Sequence, residues 1–248
     1  MCTGIVIQAR SGSSRLPNKM LLPFYSGKTI LDILLQRILA DFIDLPVVLA
    51  TSENEKDVAI KEIAMRNGVD CFRGSETDVL ERFIGAAKEH SFSAVIRICA
   101  DNPFLSMQYL RQLVDFSRTS SGDYISFCTS DGIPSIKTHF GFWTEYITLT
   151  ALERIKRMTE APLYHEHVTN YAYEHPDAFN CEFLPIDKFI TDSGIRLTVD
   201  TSEDFKNASV LYGRMADTNI AIEPENILPL ISPSMKTSMT QQIKANEK

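Results

Sequence analysis

The chain is expected to fold as a three-layer α/β protein on a largely parallel sheet, and three observations support this. Short apolar runs of strand character alternate with stretches whose apolar residues recur at helical spacing, as βα units require. Its 248 residues, 44% hydrophobic and 23% charged, are enough for one well-filled core. Charged side chains gather just after the strand-like runs, where open parallel sheets bind their ligands.

Residues 3–9 (TGIVIQA) form a continuous apolar run and predict a buried strand. Residues 30–42 (ILDILLQRILADF) place apolar side chains on one helical face, and 46–51 (PVVLAT) return to strand character. Helical patterns follow at 55–67, closed by Gly68, and at 77–90. The polar stretch between them reads as a turn. Residues 94–99 (AVIRIC) predict a third strand and 106–118 a further helix. The alternation then loosens. Strands are expected at 124–128, 138–143, 181–186 and 195–199, and helices at 149–158, 164–175 and 202–215. From Pro224 onward the sequence is polar and aperiodic, which predicts a mobile tail.

A net charge of −7 excludes the broad basic face of a non-specific nucleic-acid binder, so no nucleic-acid partner is expected. The five cysteines are odd in number and scattered, which predicts reduced thiols and no zinc site. No apolar run approaches the length of a membrane span. A soluble, cytoplasmic protein without a membrane partner is expected.

The loop QARSGSSRLPNK (8–19) is longer than a plain strand–helix connection and carries Arg10, Arg15 and Lys19 among Gly12, Ser13 and other small residues. Backbone amides in such a loop can cradle phosphate oxygens while the cations neutralise them. The Leu16–Pro17 step argues for a fixed shape. Ser26-Gly27-Lys28-Thr29 has the ending of a P-loop, but Leu22 stands where the first glycine belongs, so a turn into the next helix is expected.

Asp101 follows the 94–99 strand, and Asn102 or Ser106 can do the helix capping that Asp101 would otherwise do. Asp200 ends RLTVD, and Thr201 with Asp204 already has the spacing of a capping box. Two carboxylates at strand ends without structural duties suit Mg²⁺, which takes one or two carboxylates plus phosphate oxygens and water. Arg97, a charge inside an apolar strand, must lie on a solvated edge or reach a ligand or carboxylate. His165-Glu166-His167 lacks a third ligand for a metal site, and Phe140, Phe142 and Trp143 read as core or interface.

Taken in order, QARSGSSRLPNKML, FRGSETDVLERF, VIRICADNP, YHEHVTNY and LTVDTSEDF carry a family resemblance. From about residue 4 to 215 the chain resembles the spore-coat-polysaccharide type of cytidylyltransferase, a relative of the acylneuraminate and 3-deoxy-manno-octulosonate cytidylyltransferases. The resemblance implies a Rossmann-like nucleotide-diphospho-sugar transferase fold with a mixed, mostly parallel sheet. It implies transfer of CMP from CTP to a sugar or sugar acid, with Mg²⁺ as cofactor. Ala9, Arg10, Gly12, Ser13, Arg15, Lys19, Ser75, Asp78, Arg82 and Arg97 would then contact the nucleotide. Arg15, Lys19, Asp101 and Asp200 would carry catalysis, with Mg²⁺ on the two aspartates. Glu166 and His167 would face the acceptor.

The stretch KTHFGFW (137–143) departs from the spore-coat pattern toward the H-x-G-x-aromatic stretch of the octulosonate enzymes, and it gives His139 a substrate role. A catalytic domain over 1–217, with a homodimerisation arm within about 138–186 and an extension over 218–248, completes the expectation. Two alternatives stay open. A glycosyltransferase of similar fold would use a D-x-D metal motif, which this sequence lacks, and the other is a non-catalytic sugar-nucleotide-binding protein.

Overall fold

Parallel pairing dominates a seven-stranded sheet in the order β3-β2-β1-β4-β6-β5-β7. The computed structural model describes residues 2–246. β1 (Thr3–Gln8) lies between β2 (Val47–Ser52) and β4 (Ala94–Cys99), parallel to both. β3 (Asp70–Gly74) extends the sheet beyond β2. β6 (Glu145–Thr148) runs antiparallel between β4 and β5 (Tyr124–Cys128), and β7 (Cys181–Pro185) pairs parallel with β5. The expected mixed, mostly parallel sheet is present.

Alternation of side chains along each strand supplies two cores. Ile5 and Ile7 enter one, Val6 the other. The first is covered by α1 (Ile30–Asp41), α2 (Val58–Arg66), α4 (Met107–Ser117) and α9 (Ser202–Asp217). The second is covered by α3 (Val79–Glu89), α5 (Leu149–Met158) and α7 (Asn170–Glu174). Among the described residues no helix is long and apolar enough to cross a membrane.

Local chemistry sets the helix starts. Thr29 and Asp32 form a capping box on α1, and Thr201 and Asp204 form one on α9. Ser106 caps α4 through Tyr109 N–H, so Asp101 is released from that duty as expected. The Ser26–Lys28 stretch is a turn with Ser26 and Gly27 at positive φ, and Lys28 Nζ donates to Gln36 Oε1 at 2.8 Å. No P-loop forms there.

Several expectations need correction. β3 is absent from the expected strands, because DCFRG is short, half-buried and pairs only with β2. Residues 138–143 form no strand: the chain bends at 138 and 139 and has no regular structure over 140–143. Gly141 has φ +73°, and a Cβ there would stand 3.3 Å from Thr198 N, so two backbones pass each other closely instead of forming a ladder. Residues 195–199 are the other half of that crossing: Leu197 N–H donates to His139 O and Val199 N–H to Asp101 O. The helix expected over 164–175 is two short ones, α6 (Pro162–Glu166) and α7, broken at 167–169.

Residues 138–186, where the arm is expected, supply β6 inside the sheet and β7 at its edge, joined by α5 to α7. After the short α8 (Lys188–Thr191) and α9 come α10 (Pro224–Ile227) and α11 (Pro233–Asn246). The tail expected to be mobile is therefore largely helical up to residue 246, and its last two residues lie outside the described residues. Ile227, Met235 and Met239 are buried in the first core, two of them methionines one helical turn apart within a polar stretch.

Candidate active site

The loop after β1 has a fixed shape, and a buried carboxylate fixes it. Ser11 N–H donates to Asp57 Oδ1 at 2.7 Å, and Ser52 Oγ donates to Asp57 Oδ2. Burial alone would raise the Asp57 pKa, but these hydrogen bonds outweigh it and hold the carboxyl below its usual range. Ser11 O accepts from Ser13 N at 2.8 Å and from Asn18 N at 3.2 Å, and Ser13 Oγ accepts from Leu16 N. The left-handed position in the loop is Asn18 (φ 57°), not Gly12, whose added Cβ would meet nothing nearer than Glu76 Oε1 at 4.0 Å. Ala9 is buried at the loop's entry and donates its N–H to Ala50 O.

The cations of this loop reach carboxylates from three separate parts of the chain. Lys19 is only 7% exposed. Its ammonium lies 3.3 Å from Asp101 Oδ2 and 3.7 Å from Asp200 Oδ1, and it also donates to Val199 O. Arg15 NH2 lies 3.0 Å from Asp200 Oδ1, and Arg10 NH2 lies 3.0 Å from Glu166 Oε1. The backbone bond from Val199 N–H to Asp101 O ties the β4 exit to the entry of α9, which brings the two aspartates together. Behind Asp200, the buried Arg196 donates to Asp200 Oδ2 at 2.7 Å and to both oxygens of Asp204, while its NH1 meets His139 Nδ1 at 2.7 Å.

The 75–82 segment forms the facing wall. Ser75 Oγ accepts from Asp78 N, Asp78 caps α3, and Ser75 O accepts from Arg82 NH1. Arg82 is fully buried, yet its Nε and NH2 have no hydrogen-bond partner within the protein. Burial, with Arg10 nearby, lowers its pKa to about 10. A buried guanidinium with idle donors is costly unless a ligand supplies acceptors.

The remaining residues divide. Glu166 is half-exposed on α6, held by Arg10, and His167 is exposed at the end of that helix. His139 is half-buried and lines a cavity of about 510 Å³ with Phe140, Lys188, Ile195 and Ile243. Arg97, expected among the nucleotide contacts, is instead paired inside the sheet: NH1 donates to Glu145 Oε2 at 2.6 Å and NH2 to Gln8 Oε1 at 3.3 Å. Phe140, Phe142 and Trp143 are buried core. The sequence reading missed Asp57, Glu145 and Arg196, and weighed His165 only as a metal ligand. Arg196 carried a usable signal, a charge flanked by apolar residues in IRLTV.

Among the described residues no group of three or more His, Cys, Asp or Glu could hold a metal. Asp101 and Asp200 are a pair of partly exposed carboxylates around one cationic point, now filled by the Lys19 ammonium. That hard, oxygen-only donor set fits Mg²⁺ with phosphate oxygens and water completing its shell, and does not fit zinc.

A family model described as cytidylyltransferase matches residues 4–227. An uncharacterized protein of Methanocaldococcus jannaschii is 38% identical over 201 residues, covering 81% of this chain and 79% of that one. The spore coat polysaccharide biosynthesis protein SpsF of Bacillus subtilis is 31% identical over 217 residues, covering 86% of this chain and 87% of that one. A solved cytidylyltransferase from Leptospira borgpetersenii superposes with a TM-score of 0.78 at 30% identity, covering 100% of this chain and 98% of that one. A CMP:2-keto-3-deoxy-manno-octonic acid synthetase, solved with CTP, shares the fold at a TM-score of 0.66 and 15% identity, covering 86% and 99%.

Proposed function

The chain belongs to the cytidylyltransferase family, of the spore-coat-polysaccharide type, and from that premise we propose that it transfers CMP from CTP to a hydroxyl of a sugar or sugar acid, releasing pyrophosphate, for surface polysaccharide or glycoconjugate synthesis. The observation that carries this reading is the meeting of a rigid, tri-cationic loop with two carboxylates from distant strand ends, Lys19 lying between them. The CTP in a structural neighbour of the same fold supports the choice of nucleotide.

The reaction forms a bond from the acceptor hydroxyl oxygen to the α-phosphorus and breaks the bond from that phosphorus to the pyrophosphate oxygen, while the hydroxyl proton passes to solvent water. The protein positions the groups and stabilises charge. Arg10, Arg15 and Lys19 exchange their carboxylate partners for phosphate oxygens, and Arg15 and Lys19 stabilise the departing pyrophosphate. Asp101 and Asp200, freed of those cations, would hold Mg²⁺, which neutralises the triphosphate and polarises the attacking hydroxyl. Arg82 offers its idle donors to the nucleoside, beside Ser75 and Asp78, and Gly12 presents its backbone and Ser13 its hydroxyl to the phosphates. His139, Glu166 and His167 are assigned to the acceptor side.

CTP with Mg²⁺ should raise the melting temperature more than ATP or GTP does, because only a ligand that prefers the native state stabilises it. An equal shift from every nucleotide would argue against a cytidylyltransferase. Pyrophosphate release with a panel of sugars and sugar acids would then identify the acceptor.

We also assign the active form to a twofold dimer built from the 138–186 region, where the edge strand β7 carries the partly exposed Phe183. Light scattering at micromolar concentration should give twice the chain mass, and the mass of one chain would rule the dimer out. All five cysteines are free, in keeping with a reducing cytoplasm.

A further inference from the structure

His165, on α6, has both ring nitrogens engaged. Nδ1 lies 2.7 Å from Asp78 Oδ2 and Nε2 lies 3.0 Å from the Thr159 carbonyl oxygen. A carbonyl oxygen and an ionised carboxylate both accept and cannot donate, so each ring nitrogen must bring its own proton. Neutral imidazole has one N–H and would leave one of these contacts unmade. The ring is mostly withdrawn from water, with 12% of the side chain exposed.

The charged groups around it agree with a protonated ring. Asp78 faces it from the start of α3 and Glu160 from the connection between α5 and α6. Lys156 of α5 lies in the same surroundings but is bound to Glu81 and is itself drawn by Asp78 and Glu160. Arg82 feels Asp78 from within α3, and Glu166, the next residue, is held by Arg10. The Thr159 carbonyl first, and Asp78 after it, raise the His165 pKa against the opposing effect of burial.

The contacts of this ring join pieces that the site needs together. Asp78 caps α3 and orders Ser75, whose carbonyl carries Arg82. Thr159 ends α5, and Glu166 reaches the phosphate loop at Arg10. We infer that His165, protonated at both nitrogens, is a positioning residue that locks the 75–82 segment to the 159–167 segment across the nucleotide site, so that CTP binding weakens when the ring loses a proton. It touches no reacting atom, and the inference rests on the nucleotide reading above. The sign follows from linkage. A histidine whose pKa is raised in the folded site contributes fully below its ordinary value and loses that contribution as pH rises through the raised one.

Nitrogen-resolved NMR of the imidazole rings, with His165 assigned by the resonance that H165Q removes, should show two ring N–H groups near neutral pH. Calorimetric CTP affinity with Mg²⁺, from about pH 6 to about pH 9, should fall for the wild type relative to H165Q by about tenfold, the order of one charged hydrogen bond. D78N keeps a capping side chain but removes the facing charge, so its fall in affinity should move to lower pH. A singly protonated His165 at neutral pH, or a wild-type to H165Q ratio that stays flat with pH, would overturn the inference. If H165Q does not fold, the D78N profile decides, and coincidence with the wild type overturns it. No CTP binding by the wild type at any pH sinks the nucleotide reading itself, whereas pH-independent binding sinks only the clamp.

Discussion

Asp101→Asn and Asp200→Asn should each remove about 10³-fold of turnover, the several kcal/mol that a correctly held metal contributes. The double variant should be scarcely worse than either single one, because residues that act as a unit are not additive. Two contacts make this testable without wrecking the fold. Ser106 caps α4, and Thr201 with Asp204 caps α9, so neither aspartate holds a helix end. Arg196 keeps both bonds to Asp204 when Asp200 is neutralised, and Lys19 keeps the other aspartate. The partly exposed ion pairs that are lost cost about 1 kcal/mol or less. Initial rates and thermal melts on the three variants check this. A variant that unfolds readily, or losses that multiply, would make the aspartates structural or independent.

Lys19→Ala should lower turnover by about 10²–10³, the usual loss for one group aimed at developing charge. Its burial between Asp101 and Asp200 adds a second signature. Without the ammonium Asp101 loses its cation beside Asp200, which keeps Arg15 and Arg196, and an unpaired carboxylate next to a second one is unfavourable in a partly buried site. The variant's melting temperature should therefore drop in the absence of Mg²⁺ and recover more with added Mg²⁺ than the wild type's does. Near-native turnover would reduce the loop to a solvated basic connection.

The elements that sequence revealed are those whose side chains report burial on one period. β1, β2 and β4 are apolar runs, and α1 and the Thr201–Asp204 box announce themselves locally. That neither Asp101 nor Asp200 caps a helix was legible, since each has a neighbour better placed to cap. What stayed hidden depends on partners far along the chain. β3 is an edge strand that only pairing with β2 identifies. The residues of AVIRIC show that Arg97 needs a solvated edge, a ligand or a carboxylate, but nothing in them announces Glu145 on β6 as that partner, and the resemblance pointed to the nucleotide instead. Residues 138–143 looked like a strand because the apolar pattern gives no sign of the close crossing at Gly141. The helix α11 was obscured by polar composition, its anchors reduced to Met235 and Met239. His165 became meaningful only when folding supplied an acceptor on each side of its ring.

Every cation of the loop is paired with a carboxylate: Arg10 with Glu166, Arg15 with Asp200, Lys19 with both aspartates. On the proposed function, a lone divalent ion would have to dislodge Lys19 with no phosphate to receive it, and a lone triphosphate would strip the loop and leave Asp101 and Glu166 without their cations. When the two arrive as one complex, each displaced group finds a new partner at once. Reciprocity then requires each to tighten the other's hold by the same factor. On the proposed function, stray phosphates and free metal ions would thus be turned away by the loop's own pairings, a selectivity for the assembled metal–nucleotide that needs no dedicated contact.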